Sequence, residues 1–352
     1  MFQLEALKAR HGDCLLLHWG EFETPRLGLI DGGPSGTYAQ WLKPRLEELV
    51  AQKQNRVDLM MVSHIDDDHI NGLLDFAGEV QSGDFAMTVD RVWFNSLEGL
   101  LDSPITEEVA STVTAGLQSH MQPSGPGWTP WSAKVLASVP QGQALDGLIK
   151  LLGLNTTRNL PFQPLILRKD GQSPANIRGL RLTPVAPSID ALETLRKVWI
   201  KKRKEDVTAA YKDSSPYNLS SIVVIAEFDG KSMLLTGDAL GRDILDGLQD
   251  LGRLDPQGRA HFDLLKLPHH GSQNNVAPGF FTSITADHYV VSGDHIKFPN
   301  PHRDAMGWLA DARGGDTYKV YCPYDLEYMR EIFGHRLVTP ADDTNSIIIT
   351  LS

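Results

Sequence analysis

Val62-Ser-His-Ile-Asp-Asp-Asp-His-Ile-Asn-Gly-Leu73 places three consecutive aspartates between His64 and His69, directly after the apolar run Val57-Asp-Leu-Met-Met-Val62. The run reads as a buried strand, and Ile70, Leu73, Leu74 and Phe76 follow at spacings that suit a helix beginning near the second histidine. The polar residues therefore sit where a strand turns into a helix. Three adjacent acids repel one another unless solvent or a cation offsets them. Aspartates also suit a helix start, whose free N–H groups favour negative charge. Histidines and carboxylates converging from one loop are, equally, what a divalent metal uses. Taken alone, the stretch leaves a helix cap and a metal site both open.

Upstream, Phe2 to Leu7, Cys14 to Trp19 and Leu27 to Ile30 read as short strands of an antiparallel meander, stopped at Asp31-Gly-Gly-Pro34. Trp41 to Gln54 has helical spacing. Downstream, Arg91 to Phe94 is a further strand. Residues 97–165 then read as a helical insertion or lid within a single domain spanning 1–352, interrupted by a Pro/Gly-rich segment with Trp128 and Trp131. Strand patterns resume at Ile177 to Leu182, Ser221 to Ile225, Ser232 to Leu235, Phe262 to Lys266, His288 to Val291, Tyr318 to Tyr321 and Ser346 to Thr350. Helical patterns at Asp190–Lys204, Gly241–Leu251 and Asp304–Ala312 lie between them. The expected class is α/β (α+β), with two sheets covered by helices.

The chain has 352 residues, and 33 basic against 44 acidic side chains give a net charge of −11. That balance excludes a broad basic surface for non-specific duplex binding. It leaves Lys201-Lys-Arg-Lys204, Lys266 and Lys297 as cations available to meet phosphates. No apolar run approaches the roughly 20 residues a bilayer requires, and the start MFQLEALKARHGD lacks a secretory pattern. A cytoplasmic protein without a membrane partner is expected. Cys14 and Cys322 both sit in apolar segments and read as buried free thiols.

Three more motifs end apolar runs. Met233-Leu-Leu-Thr-Gly-Asp238 closes on an aspartate that can project from a strand end, and Leu264-Leu-Lys-Leu-Pro-His-His-Gly-Ser272 closes on two adjacent histidines. Ser292-Gly-Asp-His-Ile-Lys-Phe-Pro-Asn-Pro-His302 is a polar loop after a strand. Each alone is an ordinary turn. Together with residues 62–73 they bring candidate ligands and acid/base groups to the ends of four strands, which chance does not readily arrange.

The order His-x-Asp-x-Asp-His, Thr-Gly-Asp, His-His-Gly-Ser resembles the metallo-β-lactamase fold superfamily, and within it the hydrolase domain of the competence protein ComEC and its stand-alone relatives. Supporting matches are His11-Gly-Asp13, Ile30-Asp-Gly-Gly33, Asn218-Leu-Ser-Ser-Ile222, Ser292-Gly293 and Pro301-His302. The resemblance implies an αββα sandwich, two mixed sheets flanked by helices, with a two-metal centre at one edge. It gives His64 and Asp66 to one metal, Asp68, His69 and His270 to the other, and makes Asp238 the bridge. His269 and His302 are left for the substrate phosphate or leaving group, and Asp68 is also placed to orient the attacking water or take its proton. Asp67 is expected to turn away from its neighbours. Two departures stand out: Asp66 replaces the family's second histidine, and no middle-strand histidine is evident, since His120 in the insertion is the only histidine between His69 and His261. An oxygen-richer site shifts preference from zinc towards manganese or magnesium without excluding zinc.

The function implied is metal-dependent hydrolysis, foremost a phosphodiesterase or nuclease acting on a nucleic acid or nucleotide through two divalent ions, zinc or manganese, and a bridging hydroxide. A lactone, β-lactam or cyclic-nucleotide hydrolase is the alternative within the same chemistry. A non-catalytic metal-binding partner protein is the alternative outside it. The sequence specifies no protein partner.

Overall fold

The computed structural model describes residues 1–96, 99–100, 130–202, 216–341 and 344–351, with backbone alone at 130–139, 196–202 and 216–217. In the first part of the chain, β1 (Phe2–Leu7), β2 (Cys14–Gly20) and β3 (Pro25–Gly32) are followed by α1 (Lys43–Ala51), β4 (Arg56–Val57), β5 (Leu59–Val62), α2 (Asp67–Ser82), β6 (Thr88–Val89) and β7 (Val92–Phe94). Next come α3 (Pro130–Leu151), the hairpin β8 (Ala175–Ile177) and β9 (Leu180–Ala186), and α4 (Ile189–Lys202). The second half holds β10 (Val223–Phe228), β11 (Lys231–Leu235), α5 (Gly241–Asp250), β12 (Ala260–Lys266), β13 (Ile284–Val290) and α6 (Arg303–Arg313). It ends with β14 (Lys319–Tyr321), α7 (Glu327–Phe333), β15 (Leu337–Val338) and β16 (Ser346–Thr350).

Among the described residues, one sheet runs β16-β1-β2-β3-β5-β7 and the other β15-β14-β13-β12-β11-β10-β9-β8. Both are mixed. β1, β2, β3 and β16 pair antiparallel, whereas β3, β5 and β7 are parallel. In the second sheet β8 to β11 pair antiparallel and β11 to β15 parallel.

The near-continuous apolar strands are explained by burial on both faces. Alternate residues enter different cores: Leu15, Leu17, Leu59 and Met61 pack between the sheets, and Leu16, Met60 and Val62 pack outward under α1 to α3. The second sheet alternates likewise, Val224, Leu235 and Leu264 inward against Ile225, Leu234 and Leu265 outward. Three apolar layers thus separate helix, sheet, sheet and helix, which is the αββα sandwich expected. No helix among the described residues is long and apolar enough to cross a membrane.

The structure corrects several readings. The strand expected at Ile177 to Leu182 is a hairpin, because Arg178 and Gly179 both take positive φ, 53° and 93°, and reverse the chain between β8 and β9. The run Val57 to Val62 breaks at Asp58: Val57 pairs with Val89 in a separate two-stranded sheet. The helix α7 and the edge strand β15 were not anticipated. Lys266 is no phosphate contact, since it is 1% exposed and paired to Asp13. Trp128, the side chain of Trp131, His120 and the Lys201–Lys204 side chains lie outside the described residues. Within the expected insertion, α3 packs Leu145 and Ile149 into the core that holds Ile70 and Leu73.

Candidate metal centre

Every motif singled out in the sequence meets at one end of the sandwich, where parallel strands finish. His64 follows β5, Asp238 follows β11, and His269 and His270 follow β12. α2 starts at Asp67 with Asp66 as N-cap, so the aspartates of the opening stretch occupy both a helix start and the centre. The helix start and the candidate centre coincide, although the Asp66 side chain makes no capping hydrogen bond to α2. Asp67 does turn away: its Oδ1 accepts from Asn71 Nδ2 at 2.6 Å and from Gln141 Nε2 of α3 at 3.0 Å. His269, His270 and Gly271 take φ of 47°, 56° and 80° in succession, a left-handed turn that costs about 1–2 kcal/mol per non-glycine residue and aims the two imidazoles apart.

Asp238 lies in the middle, fully buried. Its Oδ2 is 3.8 Å from His64 Nε2 and 3.5 Å from His269 Nε2. Its Oδ1 is 3.2 Å from His69 Nε2 and 3.6 Å from His270 Nε2. Asp66 Oδ2 stands 3.7 Å from His64 Nε2, and Asp68 Oδ2 stands 3.8 Å from His270 Nε2. Each carboxylate oxygen of Asp238 thus faces its own pair of histidines with its own neighbouring aspartate. Burial alone would raise the Asp238 carboxyl; His269, His69 and His270 instead hold it well below the usual range. Burial opposes charge on His69 too, but Asp238 and Asp31 pull its pKa well up.

Oxygen partners fix each imidazole. Ser63 Oγ donates to Asp31 Oδ2 at 2.7 Å, so at 3.1 Å from His64 Nδ1 it accepts. Asp31 Oδ2 accepts from His69 Nδ1 at 2.8 Å. Asn275 Nδ2 donates to the Asp238 carbonyl at 2.8 Å, which turns its Oδ1 to His269 Nδ1 at 2.7 Å. Ser292 Oγ donates to Asp13 Oδ1 and therefore accepts from His270 Nδ1 at 2.9 Å. With the hydrogen on Nδ1 in each ring, Nε2 is the atom turned to the centre.

Nε2 of His64, His69 and His270 and both oxygens of Asp238 are buried without a hydrogen-bond partner. Bare buried groups of this kind cost roughly 1–3 kcal/mol each, and a divalent cation satisfies several together. The residues present fit a metal. Asp13, His69, Asp238 and His270 each bring a donor atom within 4.8 Å of one another. Asp13 is nevertheless better described as an orienting group than as a ligand. Its Oδ2 takes the Lys266 ammonium at 2.8 Å, and its Oδ1 takes the Ser292 hydroxyl and, at 3.2 Å, His270 Nδ1. Burial would raise its pKa, and Lys266 and His270 hold it far down.

His302 is placed differently. Its backbone N donates to the Gly271 carbonyl at 3.0 Å, which sets it beside the histidine turn, but its Nδ1 accepts from Asp304 N at 3.3 Å as the N-cap of α6. Asp13, Asp31, Ser63, Asn275 and Ser292 were not among the candidate site residues. A signal existed for three of them, since Asp13, Asp31 and Ser292 each adjoin a glycine at a strand end. At the outer edge, burial pushes His11 down to about 4, and its Nε2 accepts from Lys297 at 3.2 Å.

No family model and no curated protein matches the chain. Among solved structures, the metallo-β-lactamase fold protein YhfI from Bacillus subtilis is 9% identical, covering 99% of this chain and 99% of its own, with a TM-score of 0.41. Zn(2+)-bound PqqB from Methylobacterium extorquens is 9% identical over 99% and 100% with a TM-score of 0.42. A diphosphatase from the PhnP family is 10% identical over 100% and 98% with a TM-score of 0.40. These values report a distant likeness only.

Proposed function

We propose that this chain is a metal-dependent hydrolase of the metallo-β-lactamase fold superfamily, of the ComEC-like kind, and that it cleaves a phosphodiester with two divalent ions, zinc or manganese. The observation that carries this reading is Asp238, whose two oxygens face separate His/His/Asp sets. His64, Asp66, His269 and Asp238 Oδ2 would hold one ion; Asp68, His69, His270 and Asp238 Oδ1 would hold the other. His269 would thereby supply the donor that a middle-strand histidine gives elsewhere. When bound, such ions supply Lewis acidity that activates water and draws charge from a phosphoryl oxygen.

The chain's own residues do the rest. Asp31, Ser63, Asn275 and Asp13 lock the four rings, so little reorganisation is needed on binding. Asp68, buried beside His270, is the carboxylate placed to orient the attacking water and receive its proton. His302 carries its hydrogen on Nε2, because Nδ1 accepts from the helix backbone, and is the remaining donor for a leaving oxygen.

The test is elemental analysis with turnover of bis(p-nitrophenyl) phosphate, wild type beside Asp238→Ala. About two equivalents of zinc or manganese that collapse in the variant, together with metal-dependent turnover, are expected. No metal above background after incubation with either ion would sink the reading.

A further inference from the structure

The loop at residues 64–69 has two sides. His64 Nε2 lies 3.7 Å from Asp66 Oδ2 and 3.8 Å from Asp238 Oδ2, and Asp68 Oδ2 lies 3.8 Å from His270 Nε2, so residues 64, 66 and 68 face the centre. The residues between them face α3. Ile65 is fully buried in the core that Leu145 and Ile149 of α3 complete, and a Cβ on Gly142 of α3 would stand 3.6 Å from Ile65 Cγ2. Asp67 Oδ1 accepts from Gln141 Nε2 of the same helix at 3.0 Å and from Asn71 Nδ2 at 2.6 Å.

Packing explains Ile65 but not the polar pair beside it. Gln141 Oε1 is buried without a hydrogen-bond partner, and a bare buried carbonyl costs about as much as the bond at the other end of the amide returns. Stability alone would favour an apolar side chain at position 141. What the amide adds is direction, because its bond to a carboxylate is charge-assisted and fixes where Asp67 stands. Asp67 has Asp66 before it and Asp68 after it, each assigned above to a different ion. The arrangement also keeps charge in place. Both donors to Asp67 are neutral amides, and among the described residues it forms no ion pair, so its negative charge is satisfied without being cancelled. A fixed carboxylate directly behind a set of ligands favours cations there.

We propose that Gln141 is a positioning residue of the metal centre: through Asp67 it holds Asp66 and Asp68 at their separation, which makes α3 a working part of the site. This assignment rests on the hydrolase reading above, which gives the two aspartates to separate ions.

The experiment is competition of the full-length protein with a chelating dye for manganese and zinc. The absorption spectrum of the cobalt-substituted protein and urea denaturation of the metal-free protein are measured beside it. Gln141→Ala is expected to weaken metal binding about 10-fold, the lower end of what an orienting partner contributes, and to shift the cobalt d–d bands. Gln143→Ala, at an exposed position of the same helix, is expected to change neither. Gln141→Glu sets two carboxylates face to face and should weaken binding further. Adding Asp67→Asn exchanges donor and acceptor at unchanged net charge, and should bring back most of the affinity and the wild-type spectrum. Lowered stability of the metal-free protein with unchanged metal affinity and cobalt spectrum would mean that residue 141 only packs, and would overturn the proposal. A Gln141→Glu deficit that Asp67→Asn leaves uncorrected would overturn it as well. The expected effects on metal binding, in a protein that turns over no phosphodiester, would instead remove the hydrolase reading and leave Gln141 as a positioning residue of a metal-binding site. A wild type that binds none of the three metals would overturn both.

Discussion

The Lys266 ammonium donates to Asp13 Oδ2 at 2.8 Å, with both side chains 1% exposed, and the same Asp13 holds His270 Nδ1 through its other oxygen. A buried pair thus sits one step behind a proposed ligand. Removing one partner of such a pair leaves a buried charge and costs about 3–5 kcal/mol, whereas replacing both with apolar residues is often neutral. Lys266→Met should therefore destabilise strongly, and Lys266→Met with Asp13→Leu should recover most of that stability. Metal affinity should not recover, because His270 has lost a carboxylate that orients it; a fall of roughly 10- to 100-fold is expected. Urea denaturation and competition with a chelating dye measure the two effects. Affinity that returns together with stability would show that Asp13 only supports the fold.

His269 and His270 have adjacent positions in sequence but face different oxygens of Asp238. The resemblance gives His269 to the substrate, whereas the function proposed above gives each histidine to its own ion. His269→Ala and His270→Ala should each lower the bound metal from about two equivalents to about one. Elemental analysis decides it: two equivalents retained in His269→Ala would return that residue to the substrate.

Much of this was legible in the sequence because the signals were local. Strands buried on both faces announce themselves as apolar runs, and a catalytic-looking His/Asp/Gly loop after a run such as Leu59 to Val62 needs no distant information. The groups that hold the rings were harder to see, since Asp31 and His69, or Asp13 and His270, meet only after the sheets assemble. Lys266 is misleading for a related reason: its charge is visible in the sequence, whereas its buried partner Asp13 lies in the turn before β2, in the other sheet's half of the chain. The hairpin at Arg178-Gly179 was lost because a positive φ on arginine has no compositional signature.

Glu5 provides a pH test away from the centre. Burial by itself raises its carboxyl, but hydrogen bonds from His18, Arg45 and Ser346 and the Arg45 charge bring it down from 4.5 to about 2. A carboxylate whose folded pKa is depressed stabilises the protein above its unfolded pKa and loses that contribution as pH falls through the folded one. Stability should therefore drop by about 3 kcal/mol between pH 4.5 and pH 2 on account of this group. Glu5→Gln should flatten that part of the profile while lowering stability at neutral pH. Denaturation midpoints across the acid range are the measurement, and an unchanged acid slope in the variant would count against the assignment.

The Asn-Gly that closes the opening stretch has its explanation in a backbone contact. Gly72 lies inside α2, and a Cβ there would stand 2.0 Å from the Gly32 carbonyl of β3; a Cβ on Gly32 would in turn meet Leu73 N at 2.3 Å. The two glycines let the helix lie flat on the strand, which keeps His69 within reach of Asp31. Glycine inside a helix ordinarily costs about 0.8–1.0 kcal/mol relative to alanine, so propensity alone predicts that Gly72→Ala stabilises. The contact predicts the opposite, because the atoms in the way are backbone and cannot swing aside; overpacking of this kind costs about 1–3 kcal/mol. Gly78 supplies the control. It lies in the same helix with nothing within 4 Å of its added Cβ, so Gly78→Ala should stabilise by about the propensity difference. Opposite signs for the two substitutions in denaturant unfolding, with lowered metal affinity in Gly72→Ala alone, are the expected result. Equal signs would mean that the helix is free to move off the strand and that its close approach does not set the position of His69.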